Sequence, residues 1–183
     1  MTVLPGQGSE EHPRPGYLCI EKFMRDAVGA RALQSALELG LIDDLLRQSS
    51  ADFAALAARS RIDPRGLRLL LGMLCANQVI EERDGRFAVS AAFETALQYR
   101  DLLETKLDFA SLVGPDFLGM FSTLLVDPRR FFETSTIFDL FSYERCFEPT
   151  PENVLATRRW MHFTTVLTKY EAQACIDHHD FAS

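Results

Sequence analysis

The sequence predicts a mainly α-helical protein with one small β-hairpin and a helical extension toward the C-terminus. Three observations lead to this prediction. Apolar residues recur with helical spacing near the N-terminus, an Asp63-Pro64 pair marks a helix start, and Asp84-Gly85 separates two short apolar runs. The chain has 183 residues, of which 47% are hydrophobic. This is enough for one core with an appendage, but not for two independent domains.

The first two helices are predicted from spacing and capping residues. No proline lies between Tyr17 and Leu46, and apolar residues recur at helical intervals. These are Ile20, Phe23, Met24, Ala27, Ala30, Leu33, Leu37 and Leu41. Gly40 is expected to close this long helix. A short second helix follows in "SADFAALAARS", where Ser49 and Asp52 can cap the first turn.

A third helix and a hairpin complete this part of the chain. Asp63 caps well and Pro64 suits the first helical position, which predicts a helix from Pro64 to Asn77. Two strand-like pieces, Val79-Ile80 and Phe87-Val89, bracket the Asp84-Gly85 turn. Three helices followed by a two-stranded hairpin is the winged-helix order.

The second half has a different composition. Helices are expected at Ala91–Gln98 and Asp101–Leu125, with prolines 115, 128, 149 and 151 as breakers. Thr150-Pro151 opens a final helix with a packing seam at Trp160, Phe163, Leu167, Tyr170 and Ala174. The expected organisation is a flexible arm at 1–16, a winged-helix unit at 17–98 and a helical extension at 99–183.

The charge distribution argues against nucleic-acid binding. The formal net charge is −7, with 11 Lys/Arg against 13 Asp/Glu in residues 1–99 and 8 against 13 in residues 100–183. The third helix offers Arg65 and Arg68, and the wing sets Arg83 and Arg86 among acidic residues. A DNA reader needs a basic face for its phosphate contacts, and none can be assembled from these residues.

Cysteine usage and hydropathy indicate a cytoplasmic protein. The four cysteines, Cys19, Cys75, Cys146 and Cys175, form no CxxC pair and lie in predicted helices, so disulfides are not expected. The N-terminal arm has no apolar stretch of the kind that signal peptides carry. The longest mainly apolar run, Phe117 to Val126, is shorter than the ~20 residues that a membrane-spanning helix needs. No membrane partner is expected.

No complete catalytic, cofactor or metal site is predicted. The sequence has no G-x-G-x-x-G, no phosphate loop, no HExxH pair and no GxSxG elbow. The tail "ACIDHHD" contains metal-ligand types, with Cys175 and His179 one helical turn apart. It lacks a second spaced ligand pair, so the solvated interpretation is preferred. His162 is interpreted as a packed or surface histidine.

Aromatic residues crowd the stretch from Phe109 to Phe147. One interpretation is that the rings fill a core or an intersubunit contact, since aromatics dominate the burial energy of both. The other is that aromatic and Met side chains line a cleft for a flat, largely apolar molecule. The first interpretation is preferred for any single phenylalanine.

The runs "ARALQSALELGLIDDLL" and "DFAALAARSRIDPRGLRLLLGMLCANQVIEERDGRFAVS" resemble the N-terminal dimerisation domain of small-molecule O-methyltransferases of the plant caffeate and animal hydroxyindole type. The resemblance covers about Ala30 to Ser90. The segment from "DPRRFFE" to "NVLATRRWMHFTT" is similar to that family's helical linker, whose last helix carries an aromatic-Met pair. Trp160-Met161 would take its place.

This resemblance implies a homodimer that acts as a dimerisation and substrate-lid module. The small substrate would be aromatic or polyketide-like, with a possible pocket wall at Trp160, Met161, Phe163, Phe117 and Phe121. It implies S-adenosylmethionine as the cofactor of a complete enzyme, bound on a Rossmann-like domain whose glycine-rich loop this sequence does not contain. We therefore expect this chain alone neither to bind the cofactor nor to transfer methyl groups. The alternative is a stand-alone winged-helix DNA-binding regulator whose helical extension senses a ligand or pairs subunits.

Overall fold

A computed structural model describes residues 20–179. The predicted N-terminal arm at 1–16 lies outside the described residues. The fold is mainly helical with one small sheet, as the sequence predicts.

The first predicted helix is two helices, α1 (Ile20–Glu38) and α2 (Leu41–Gln48). Gly40 separates them at φ 72°, a left-handed conformation that costs glycine no Cβ strain. Closure at Gly40 is therefore confirmed, but the sequence pattern did not show that α2 starts at once. The apolar pattern continues across the break, which is why spacing alone merged the two helices.

Side-chain caps begin the next two helices. The Asp52 carboxylate accepts a hydrogen bond of 2.8 Å from the Ala55 amide at the start of α3 (Phe53–Arg59). Asp63 accepts from the Arg65 amide at 2.9 Å at the start of α4 (Pro64–Ala76). Both caps satisfy amides that have no partner within the helix. The predicted helix starts are confirmed, although Ser49 has a φ of 60° and takes no part in the cap.

The sheet is antiparallel and has three strands rather than the predicted two. The expected hairpin joins β2 (Ile80–Arg83) to β3 (Arg86–Val89) through Asp84 and Gly85, both at positive φ. The additional strand, β1 (Ala51–Asp52), pairs with β3 on its other side. Two residues are too short to show the alternation that marks a strand in sequence.

One apolar core joins the N-terminal helices to the sheet. Its fully buried members come from α2, α3, α4 and β2 and include Ile42, Leu45, Leu56, Leu67, Leu71, Leu74 and Ile80. Leu103 and Leu107 of the helical extension pack against the edge of this core. The extension is therefore seated on the N-terminal unit through apolar contact.

The helical extension consists of two long helices and shorter pieces. After α5 (Ala91–Ala96) and a 3-10 turn come α6 (Arg100–Val126), α7 (Pro128–Thr134) and α8 (Pro151–His178). Two 3-10 helices, Thr136–Phe141 and Glu144–Phe147, connect α7 to α8. The Thr150 hydroxyl caps α8 by accepting from the Asn153 amide at 3.2 Å. The predicted start of the last helix is confirmed.

Pro115 lies inside α6 and does not break it. Its missing N–H leaves one carbonyl in the preceding turn without its usual bond, a defect that a helix with tertiary contacts can tolerate. As a result the helical stretch Ala91–Val126 is, by length and composition alone, long and apolar enough to cross a membrane. The expectation of no membrane span stays a prediction. A carboxylate, Asp116, lies in the middle of the apolar part of this stretch.

The predicted seam of α8 packs on α6 of the same chain. Phe163 and Val166 are buried, and the Phe163 ring meets Phe109 edge to face with centroids 5.9 Å apart. Trp160, Leu167 and Tyr170 are half-buried, whereas Ala174 is exposed. The seam therefore holds over its first three turns and ends before the C-terminal end of α8.

Two leucines at α2 test the location of this core. Leu45 is fully buried and Leu39, just before α2, is mostly exposed. Leu45→Ala should lower the free energy of unfolding by about 2–5 kcal/mol, because it removes buried methyl groups and leaves a cavity. Leu39→Ala should change it by less than about 0.5 kcal/mol. Denaturant unfolding followed by circular dichroism measures both, and equal losses would contradict this packing.

Candidate functional site

An open apolar groove of about 380 Å3 lies between α1 and α4, and we call it the α1/α4 groove. Its apolar lining includes Ala27, Val28 and Ala32 of α1 and Leu69, Leu70 and Met73 of α4. Leu69 lines the groove and is 67% exposed. Exposed apolar surface of this kind marks sites where soluble proteins meet a partner.

The groove continues along the N-terminal half of α1. Ile20, Phe23 and Met24 are all more than half exposed, and with Val28 they follow the 3-4 spacing of a single helix face. Burial on α1 begins only at Gly29, so this face is not part of the core. A Cβ atom at Gly29 would lie 3.0 Å from the Asn77 side chain, so α1 closely approaches the end of α4 there. The exposed apolar residues that precede Gly29 on α1 therefore lie outside the core.

A second cavity, the α6/α8 cleft, has a volume of about 400 Å3. Its apolar wall is formed by Leu112 and Val113 of α6, Ile137 and Leu140 of the connecting 3-10 helix, and Leu155 and Ala156 of α8. Four charged side chains also border it, namely Asp139, Arg145, Glu152 and Arg159. This size is within the range of small-molecule sites.

The wall of the α6/α8 cleft is fixed to α6 by a carboxylate. Asp116 accepts hydrogen bonds from the Ser135 hydroxyl at 2.8 Å and the Thr136 amide at 2.7 Å. The Ser135 hydroxyl in turn accepts from the Ile137 amide at 3.2 Å, which starts the 3-10 helix. The bond from Ser135, together with those from Thr136, lowers the pKa of the Asp116 carboxyl. An ionised carboxylate thus positions the segment that closes the cleft.

A series of polar contacts joins α6 to α8, from Asp101 near the start of α6 to Arg159 at the cleft. Asp101 accepts from the Tyr170 hydroxyl at 2.5 Å and from Lys169 at 2.9 Å. The fully buried Thr105 hydroxyl lies 3.2 Å from Nε2 of His162. The Asp108 carboxylate accepts one hydrogen bond from Nε of Arg159, at 3.0 Å, and a second from Nη2 of the same guanidinium. These pairs set the register between the two helices.

The five residues predicted as a pocket wall do not line one cavity. Phe163 is buried in the α6–α8 contact, and Phe117 packs on the buried Phe131 with ring centroids 6.0 Å apart. Phe121 and Met161 are about half exposed. Trp160 borders a small void of about 10 Å3 that shares Leu140 and Arg145 with the α6/α8 cleft.

The Trp160 indole N–H is buried without a hydrogen-bond partner in the described residues. The pocket role of the five residues stays a prediction. Spacing could not identify the cleft, because its apolar wall comes from aliphatic residues on three separate segments.

The metal interpretation of the tail gains no support from the described residues. Within 20–179 no group of three or more His, Cys, Asp or Glu side chains is placed to hold a metal ion, and Asp180 lies outside this range. In the same range Cys75, Cys146 and Cys175 are free thiols. Burial raises the pKa of the Cys75 thiol, so it is unsuited to act as a thiolate.

Three of the four arginines that a DNA reader would use are engaged within the chain. Arg68 lies over the Phe53 ring at 4.6 Å, and Arg83 pairs with Glu81 at 2.8 Å. Arg86 donates to the Ser50 carbonyl at 2.8 Å. This leaves no continuous basic face on α4 and the hairpin, which argues against phosphate binding.

Comparison with known families and structures places these surfaces in context. Residues 22–98 match the profile of the O-methyltransferase dimerisation domain. The structure is similar to that of CalO1, a methyltransferase in calicheamicin biosynthesis, which was solved in an SAH-bound form. The two sequences are 20% identical and the TM-score is 0.61, and the match covers 93% of this chain and 50% of that chain. No curated protein matches the sequence.

Two further solved structures share the fold. RosA, the N,N-8-amino-8-demethyl-D-riboflavin dimethyltransferase from Streptomyces davawensis, is 19% identical with a TM-score of 0.60 over 92% of this chain and 50% of that chain. The mitomycin 7-O-methyltransferase MmcR is 21% identical with a TM-score of 0.58 over 91% of this chain and 48% of that chain. The chain spans about half the length of the solved structures that it matches.

The α6–α8 contact should carry a specific acid dependence. Hydrogen bonds from Tyr170, the larger cause, and from Lys169 lower the pKa of Asp101 to about 2. The same carboxyl has a pKa of about 3.9 in an unfolded chain. A lowered folded-state pKa means that the stabilisation is complete above the unfolded value and is lost as pH falls through the folded value. We expect Asp101 to weaken the fold between about pH 4 and pH 2 as it protonates.

Carboxyl carbon NMR titration measures this pKa directly. Tyr170→Phe removes the larger cause and should move the pKa of Asp101 back toward its ordinary value. An Asp101 pKa near 3.9 in the unmodified chain would rule out these Tyr170 and Lys169 contacts.

Proposed function

We propose that the chain, whose residues 22–98 match the O-methyltransferase dimerisation domain, is the homodimer-forming and substrate-lid module of a small-molecule O-methyltransferase. The N-terminal unit would join two copies. The helical extension would form part of the lid over the substrate.

The observation that carries the dimer proposal is the α1/α4 groove. It lies within the family-matched residues, and the exposed face of α1 lengthens it with Ile20, Phe23 and Met24. Two copies related by a two-fold axis would bury the same patch twice. Each fully buried Phe, Leu or Met side chain contributes about 1.5–3 kcal/mol, so a few residues per copy provide a large driving force.

The lid proposal rests on the α6/α8 cleft. Its wall comes from α6, α8 and the segment between them, and contacts of Asp101, Asp108 and Asp116 hold these parts together. We propose that the half-exposed Met161 and the neighbouring Trp160 also face substrate in a complete enzyme, as the family resemblance implies. The substrate would be aromatic or polyketide-like, in keeping with similar structures named for calicheamicin biosynthesis and mitomycin.

S-adenosylmethionine is the methyl donor that the similar structures imply, since two were solved with SAH. The described residues do not fit that cofactor. Between 20 and 179 the only sheet is small and antiparallel, without the parallel strand, glycine-rich loop and helix that cradle such a ligand. We propose that the cofactor binds to a part of the complete enzyme outside these residues. We also propose a cytoplasmic location, because the free cysteines suit a reducing compartment.

A charge placed in the α1/α4 groove tests the dimer. At micromolar concentration we expect sedimentation to give a dimer for the unmodified chain and a monomer for Leu69→Glu, because a carboxylate at the interface centre would be desolvated without a partner. Ala58→Glu adds the same charge to the exposed face of α3 and should leave the dimer intact. A monomer at every concentration for the unmodified chain would overturn the proposal.

A further inference from the structure

We infer that residues 139–147, which we call the gate, open as one unit away from Trp160 and thereby join the small void beside this residue to the α6/α8 cleft. This inference rests on the proposed function, because it names the part of the lid that moves. It also accounts for the position of Trp160. The proposed function assigns Trp160 to the substrate site, but in the structure it lines the void rather than the cleft.

The gate forms most of the void beside Trp160. The gate residues that line it are Leu140, Phe141, Ser142, Tyr143, Arg145 and Cys146. The Tyr143 ring meets the Trp160 ring edge to face, with centroids 5.6 Å apart. Leu140 and Arg145 also border the α6/α8 cleft. A movement of the gate therefore opens the void and the cleft to each other.

The chain is anchored just before and just after the gate. Before it, the Asp116 carboxylate accepts from the Thr136 amide at 2.7 Å, and the Phe138 ring packs on the phenylalanines of α7. After it, the Asn153 side-chain amide donates to the Glu148 carbonyl at 2.8 Å. Neither anchor includes a gate residue, so both can persist while the gate moves.

Between these anchors few contacts hold the gate to the long helices. Within residues 20–179, its only hydrogen bond to α6 or α8 is a weak contact of 4.0 Å between the Cys146 thiol and the Thr157 hydroxyl. Tyr143 and Phe147 are mostly exposed. Segments with so few buried contacts open at a lower free energy than the whole fold. The gate is therefore suited to local opening.

Bonds inside the gate allow it to move as a unit. The Arg145 guanidinium donates to the backbone carbonyls of Asp139 and Leu140. The Cys146 amide donates to the Tyr143 carbonyl at 3.0 Å. These bonds join the two 3-10 helices and involve neither α6 nor α8, so they survive when the gate leaves Trp160.

The closed gate leaves one polar group unsatisfied. The Trp160 indole N–H is buried and has no hydrogen-bond partner among residues 20–179. A buried donor without a partner disfavours the closed gate by about fivefold or more. The void of about 10 Å3 beside it is at the lower limit of the space that one water molecule needs. Opening exposes this N–H to solvent or to an acceptor atom of a ligand, which makes opening easier.

Hydrogen exchange measured by NMR on the full chain tests the inference. Trp160 is the only tryptophan, so its indole N–H gives a single signal. We expect this N–H and the Cys146 amide to share one opening equilibrium. That equilibrium should be at least about tenfold more favourable than the global unfolding reported by the core amides of Leu71 and Leu74.

Three results of this exchange experiment would overturn the inference. The indole N–H could exchange only through global unfolding, which would mean that no separate gate opens. It could show no protection at all, which would mean that the gate does not close. The indole N–H and the Cys146 amide could also open with different equilibria, which would mean that the gate does not move as a unit.

Matched substitutions locate the moving part. Tyr143→Ala removes the ring contact with Trp160 and should speed exchange of the indole N–H and the Cys146 amide by about two- to tenfold, the ratio for one aromatic pair. Tyr99→Ala removes a similar pair outside the gate, with Tyr170 at 5.8 Å, and should change neither rate. Equal acceleration by both substitutions, or no response to Tyr143→Ala, would contradict the inference.

Sedimentation of the same samples separates this inference from the proposed function. A dimer whose indole N–H exchanges only through global unfolding contradicts the gate inference alone. A monomer whose gate opens separately contradicts the proposed dimer alone.

Discussion

The structure depends on α6 making two different contacts along its length. At its start, Arg100 pairs with Asp43 of α2 and with Glu104 of its own helix, and the Arg100 hydrogen bond lowers the pKa of Asp43. Further along, Ser111 donates to the buried Gln34 of α1. A neighbouring side of α6, with Asp101, Thr105 and Asp108, meets α8. Since one continuous helix joins the N-terminal unit to the extension, the α1/α4 groove and the α6/α8 cleft are fixed relative to each other.

Burial on these helices is incomplete, and the position of the unburied surface suggests its use. The N-terminal unit buries its aliphatic residues in one core, yet leaves an apolar face along α1 and at Leu69 of α4. The extension leaves Leu118, Leu125 and Val126 of α6 exposed. Solvent exposure of so much apolar surface is unfavourable for a monomer. The proposed dimer would cover the α1/α4 surface, and the proposed complete enzyme would cover the end of α6.

Local chemistry made the helix starts and the hairpin predictable from the sequence. Asp52, Asp63 and Thr150 cap their helices as their side chains dictate, and Asp84-Gly85 takes the turn that its residue types favour.

Features that depend on tertiary contact were not predictable in the same way. Pro115 stays within α6, because contacts on either side of it hold the helix, and the two-residue strand β1 exists only through its pairing with β3. The same limit applied to the site. Spacing drew attention to aromatic residues, but the cleft is formed by aliphatic residues and Arg145, which come together only when α7 and the 3-10 helices fold back on α6.

The measurement that tests the proposed dimer most directly is an isotope-filtered NOE experiment on a mixed sample of labelled and unlabelled chains. Only contacts between two copies give signals in such a sample. We predict intermolecular NOEs at the methyl groups of Val28, Leu69 and Met73, which line the α1/α4 groove. Intermolecular NOEs confined to Leu118 and Leu125 of α6 would contradict this dimer, because the two copies would then meet through the extension.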